Sequence, residues 1–151
     1  SNRNYTMIGH AANLAARLQE LTKRFHVPIL VSEPTRRAAG DRFVFREIDR
    51  IVPRGATIPE AVYALLGAPE EVGADARRLA DVHADGLAAM RSRDWRAAER
   101  LFAECLALDP ADAAARIMAE RVLHLSAAPP DDGWDGVWRP ARMIAMGGTD
   151  G

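Results

Sequence analysis

Asn13 and Arg17 stand four residues apart in the run Asn4-Tyr5-Thr6-Met7-Ile8-Gly9-His10-Ala11-Ala12-Asn13-Leu14-Ala15-Ala16-Arg17-Leu18. At that spacing two side chains share one helix face. Arg17 carries a permanent charge on a planar fork of donors suited to phosphate oxygens. Asn13 offers an amide that hydrogen-bonds in both senses. Groups of this kind, fixed in place, stabilise charge that builds on a phosphoryl centre during a displacement. By spacing alone they better fit a helix decoration and a solvated surface cation. Other candidates carry less. Cys105 is the only cysteine, so it forms no intramolecular disulfide; with no matched His/Asn set it reads as a small apolar helix residue. His26, His83 and His124 lack ligand spacing, which argues against a zinc site.

The elements that must position these groups can be read from periodicity. Residues 4–8 read as a strand, and Gly9 breaks the period before a helix over Ala11–Lys23, whose Leu14, Leu18 and Leu21 recur at three and four. Val27–Val31 suits a short buried strand and Pro34–Ala39 a helical turn. Aromatic and β-branched content in Phe43–Ile48 argues strand. Pro53, Gly55 and Pro59 punctuate a loop, and Ala61–Leu66 closes the sheet portion.

The pattern Tyr-Thr-x-Ile-Gly-x-x-x-Asn-x-Ala-x-Arg-Leu over Tyr5–Leu18 resembles the corresponding motif of class III adenylate/guanylate cyclases. The likeness continues for about the first 67 residues, through Val27–Ser32, Phe43–Arg50 and Val62–Gly67, which look like later strands of that domain in the family's order. It implies a reaction in which the ribose 3′-hydroxyl attacks the α-phosphate of ATP and expels pyrophosphate, giving cyclic AMP. Asn13 would orient the ribose and Arg17 would meet the α-phosphate. Thr6 falls where the family reads the base; a hydroxyl can accept from the exocyclic amine of adenine, which tilts the choice toward ATP. Arg54 falls where a Lys commonly touches the triphosphate, although Pro53 and Ala56 depart from the usual loop. His10 stands where many members have Asp and reads as a helix-start residue. Family members also carry two metal-binding aspartates and an adenine-reading lysine upstream of this motif. The resemblance therefore implies the carboxyl-terminal portion of a longer cyclase, needing two Mg²⁺ or Mn²⁺ ions whose ligands lie outside this chain. It implies a head-to-tail homodimer as well, with this portion inactive alone.

After Ala74 the periodicity is helical throughout, with a hairpin turning at Arg93-Asp94 and a third segment near Ala113–Leu125. Gly86, Asp94-Trp95, Ala98, Phe102, Leu106 and Leu108-Asp109-Pro110 stand at the spacings of a tetratricopeptide repeat, over roughly residues 79–111. This second resemblance departs at Ala89 and Cys105. One such unit cannot bury a continuous core, so the helices are expected to dock on the same chain or a sister chain. Trp134 and Trp138 are expected to pack on the molecule itself, with partner docking as the alternative, and Gly147–Gly151 to fray.

The expected fold class is α+β, a partial ferredoxin-like cyclase domain followed by a tetratricopeptide-like α-helical hairpin. Residues 1–67 form the cyclase portion, 68–73 a linker, 74–128 the helical region and 129–151 an irregular tail. With 20 basic and 21 acidic side chains, the chain has no global footprint for nucleic acid. No apolar run or signal pattern indicates membrane contact in this segment, so a cytoplasmic site is expected; a longer parent could be membrane-attached through upstream segments. An uncovered apolar face is expected around Ile29, Val31, Phe43 and Phe45, inviting another chain. The rival to an adenylate cyclase is a non-catalytic regulatory module that dimerises and recruits a protein partner through the helical tail.

Overall fold

The computed structural model describes residues 2–139, with side chains from residue 11 onward. Its first element is a 24-residue helix, α1 (Asn2–Phe25), which corrects the expected strand at residues 4–8 and the break at Gly9. A strand must pair its backbone groups with a neighbour, and no strand of the sheet pairs with this segment. A helix closes those bonds within itself, so the helical run extends back through Gly9 against a glycine penalty of only about 1 kcal/mol. The helix stops at His26, whose φ of 54° lies in the left-handed region, while the Val27 amide reaches back to the Thr22 carbonyl at 3.1 Å. That is a Schellman ending.

Three strands follow: β1 (Leu30–Ser32), β2 (Val44–Ile51) and β3 (Glu60–Gly67), with helix α2 (Glu33–Ala39) and a 3-10 turn (Gly40–Arg42) between the first two. The sheet is antiparallel in the order β1-β3-β2, with Leu30 opposite Ala64 and Ile51 opposite Glu60. Helices α3 (Ala74–Arg91), α4 (Trp95–Leu108) and α5 (Ala113–Ala127) complete a mixed α+β fold. Side chains of Asp94 and Asp112 cap α4 and α5 by accepting from the Ala97 and Ala115 amides, as N-cap aspartates do. No helix among the described residues is long and apolar enough to cross a membrane.

One hydrophobic cluster joins these parts. Leu21 and Phe25 of α1, Ile48 and Val62 of the sheet, Leu87 and Met90 of α3, Phe102 of α4 and Met118 and Val122 of α5 all belong to it. The helical region thus docks on its own chain. Gly86 allows α3 and α4 to close, since a Cβ there would lie 2.7 Å from the Phe102 ring. Cys105 is fully buried, and burial pushes its thiol up to about 11, in keeping with an inert packing residue. On the opposite face of the sheet Ile29 and Phe43 are exposed while Val31 and Phe45 are half-buried, so the apolar face expected there is partly open.

A polar seam also crosses from sheet to helices. Arg46 makes a fork to both carboxylate oxygens of Asp112, at 2.8 and 2.6 Å, and donates to His83 Nδ1 at 3.0 Å. Because Arg46 can only donate, His83 Nδ1 accepts, and its Nε2–H is assigned to the Ile48 carbonyl at 3.3 Å. Asp49 pairs with Arg121 and Glu47 with Arg91. Residues 129–139 then strap over this body. Arg93 donates to the Pro130 and Asp131 carbonyls, the Trp134 ring lies 6.2 Å from that of Trp95, and the Trp138 ring lies 5.5 Å from that of His124. Both tryptophans pack on the molecule itself. Gly147–Gly151 and the rest of the tail beyond Arg139 lie outside the described residues.

Two predictions come from this packing. Gly86→Ala would force its methyl into the Phe102 ring and should cost about 1–3 kcal/mol; an unchanged urea midpoint would show that the hairpin relaxes freely. The second concerns pH. Burial, followed by the charge of Arg46, lowers His83 from 6.5 to about 3. A group whose folded value is depressed in this direction holds the neutral form, so its contribution is complete above about pH 6.5 and fades as pH falls toward 3. The thermal midpoint should therefore drop between about pH 7 and pH 4, and His83→Gln should flatten that decline. Parallel profiles for the two proteins would assign the acid sensitivity elsewhere.

Candidate functional site

Asn13 and the Arg54 loop meet across 41 residues of sequence. The Asn13 Nδ2 donates to the Arg54 carbonyl at 3.2 Å. That carbonyl is held by a tight turn in which the Ala56 amide donates to the Pro53 carbonyl at 2.9 Å. Gly55 occupies the turn's third position with φ of 84°, a conformation that costs a side chain about 1–2 kcal/mol. A Cβ on Gly55 would also stand 4.0 Å from Asn13 Nδ2. Pro53 is buried and roots the turn, while Arg54 is exposed. A cavity of about 370 Å³, lined by Gly55, Ala56, Thr57, Ile58, Pro59 and Glu60, continues from the turn.

Arg17 lies one turn further along α1, about 6 Å along the axis, and its Nη1 pairs with Glu20 at 3.2 Å. Both side chains are well exposed, at 42% and 69%. A pair of this kind contributes about 0–1 kcal/mol, so Glu20 holds Arg17 only lightly. The structure thus brings Asn13 together with the Arg54 segment and leaves Arg17 close by on the same helix. The side chains of Thr6 and His10 lie outside the described residues.

Metal chemistry finds no donor set here. Among the described residues no three His, Cys, Asp or Glu side chains converge on a common point. The implied Mg²⁺ or Mn²⁺ ions therefore fit none of the described residues, and no step of the chemistry is assigned through them.

Sequence reasoning missed the buried polar seam. Its signal was present: four of the eight residues in β2 (Val44–Ile51) are charged, far more than a half-buried strand tolerates without partners. The seam is not catalytic in form. Both His83 nitrogens are engaged and the ring is fully buried, so it has neither a free lone pair nor access. Asp112 is lowered although burial opposes this, because the Arg46 hydrogen bond and charge and the Ala115 amide outweigh it. A second cavity of about 380 Å³ lies at the β2 edge of the sheet, between Arg36, Phe45 and Tyr63 on one side and Ala80 and Asp81 of α3 on the other. Arg36 sits 5.1 Å above the Tyr63 ring. Burial, then the carboxylate of Glu33, pushes the Tyr63 phenol up to about 12, so the phenol stays protonated.

Comparison with protein-family models finds no match to this chain, and comparison with curated proteins and with solved structures finds none either. The reading of its function rests on these residues.

Proposed function

We propose that this chain supplies the transition-state half of an adenylate cyclase site. Asn13 orients the ribose, Arg17 meets the non-bridging oxygens of the α-phosphate as they gain charge, and Arg54 meets the triphosphate. The observation that carries the reading is the Asn13 bond to the Arg54 carbonyl, which sets the helix pair of the motif beside the loop that the resemblance assigns to phosphate. In the reaction the 3′-hydroxyl gives up its proton to water, its oxygen forms a bond to the α-phosphorus, and the bond from that phosphorus to the pyrophosphate oxygen breaks. Fixed donors that are stronger toward the transition state than the ground state raise kcat. The finer parts of the fold belong to the same proposal: a ferredoxin-like cyclase portion over residues 1–67, and a tetratricopeptide-like hairpin supported by the closeness of Gly86 to Phe102. The site would be completed in a homodimer of a longer parent, whose sister protomer would hold the divalent cations through residues outside this chain.

A second reading has its own support. The amide of Asn13 is engaged with Arg54, Arg17 is engaged with Glu20, and α1 runs unbroken through the motif. These are the features of a non-catalytic cyclase-like module, using its helical region for protein contact.

Arg17→Ala, made in a chain carrying its preceding sequence and assayed with ATP and Mn²⁺, should lower kcat about 10²–10³-fold with little change in KM. An unchanged kcat would remove Arg17 from the reaction, and a wild type that forms no cyclic nucleotide would favour the non-catalytic module. Thr6→Val should shift the ratio of kcat/KM for ATP over GTP by the equivalent of about 1–3 kcal/mol. A constant ratio would show that Thr6 does not read the base.

A further inference from the structure

We infer that Arg121 is a positioning residue for the Asn13–Arg54 site, because its one guanidinium ties to α5 both elements that meet there. The side chain is 6% exposed, and its Nη1 donates to Asp49 Oδ2 at 2.7 Å. Its guanidinium carbon lies 5.8 Å from the Phe25 ring centre and 5.4 Å from that of Trp138, within the range where a cation is attracted to a ring face. Asp49 belongs to β2, five residues before Arg54. Phe25 is the last residue of α1, the helix that carries Asn13. One cation therefore holds the strand that feeds the turn and the helix that touches it.

Asp49 reaches this cation through a β-bulge. Glu47 pairs with Tyr63 and Asp49 with Val62, leaving Ile48 as the extra residue. Both Ile48 and Asp49 are buried in consequence. Without the extra residue, strict alternation would place Asp49 on the outer face with Glu47. After the bulge Ile51 and Pro53 are buried, so the alignment set at Asp49 carries directly into the turn that presents the Arg54 carbonyl.

The other anchor acts through a lever. Asn13 is twelve residues from Phe25, about 18 Å along a helix axis, so a tilt of about three degrees at the anchor moves Asn13 by about 1 Å. A 3.2 Å hydrogen bond does not survive a displacement of that size. Leu14, Leu18 and Leu21 also hold α1 against the core, and the buried cation between Phe25, Asp49 and Trp138 adds a polar restraint at the end of the lever.

The importance of this coupling rests on the site proposed above, but its test requires no catalysis. In the isotopically labelled chain, two NMR signals report the site directly: the side-chain amide of Asn13 and the exchange rate of the Ala56 backbone amide that closes the turn. Arg121→Met should shift the Asn13 signal and speed Ala56 exchange about tenfold. Arg121→Lys keeps the charge without the flat fork and should give smaller changes of the same sign. Phe102→Leu, which loosens α3 against α4, serves as a control for general destabilisation and should move neither signal. The inference is overturned if both Arg121 variants leave the two signals in place, or if Phe102→Leu moves them equally. If the Met variant does not fold, the Lys variant decides by the same signals. A longer wild-type parent lacking cyclase activity would overturn the catalytic reading and leave the positioning role of Arg121 standing on these signals alone.

Discussion

The joint between sheet and helices depends on one buried charge, Arg46. A guanidinium placed on the covered face of β2 cannot be left without partners, since an uncompensated buried ion costs several kcal/mol. Asp112 answers it with both oxygens, and Asp112 is also the residue that opens α5 by capping Ala115. The start of α5 is therefore set by the position of Arg46 as well as by local sequence. His83 of α3 accepts from the same Nη2, which obliges its ring to stay neutral. Two helices are thus registered on the sheet by a single side chain, and α4 is carried with them through Phe102 and Gly86.

The contrast with the candidate site is one of solvent. Buried pairs such as Arg46–Asp112 are often worth little against an apolar replacement of equal shape, yet breaking one is costly. They specify which docking is adopted. The bonds at Asn13 and Arg17 lie in water, where each is worth roughly 1 kcal/mol or less. A ligand can replace them without disturbing the body behind.

Much of the fold was legible because its signals are local. The hairpin turning at Arg93-Asp94, the third helix near Ala113–Leu125 and the strands expected over Phe43–Ile48 and Ala61–Leu66 follow from periodicity, strand-forming composition and the punctuation of Pro53, Gly55 and Pro59. The error at residues 4–8 has a physical origin. Tyr5-Thr6-Met7-Ile8 has strand composition, but composition cannot supply the neighbour that a strand needs, and the helix expected from Ala11 extends through it instead. The seam was illegible for the same kind of reason. Charges in β2 signal that partners exist, while their identity, 66 residues away for Arg46 and 72 for Asp49, is fixed only when the chain closes. Asn13 and Arg17 could be singled out from spacing, whereas the contact of Asn13 with the Arg54 carbonyl is a property of the tertiary structure.

The two ion pairs between β2 and α5 also settle how the helix lies along the sheet. Arg46 and Asp49 are three residues apart on the strand, a span of about 10 Å. Asp112 and Arg121 are nine residues apart on the helix, about 13.5 Å. The spans agree to within the reach of the two arginine side chains, which point in opposite senses across the joint, one from the strand and one from the helix. A single pair would let α5 pivot on the sheet; two pairs at this separation do not. Strand and helix must then move as one body, and the loop after Ile51 inherits its place from that body. The resemblances divide the sequence into a cyclase-like portion and a helical one, but the hydrophobic cluster and both pairs cross from one to the other. The physical unit that presents Asn13 and Arg54 therefore includes α5, although neither residue belongs to it.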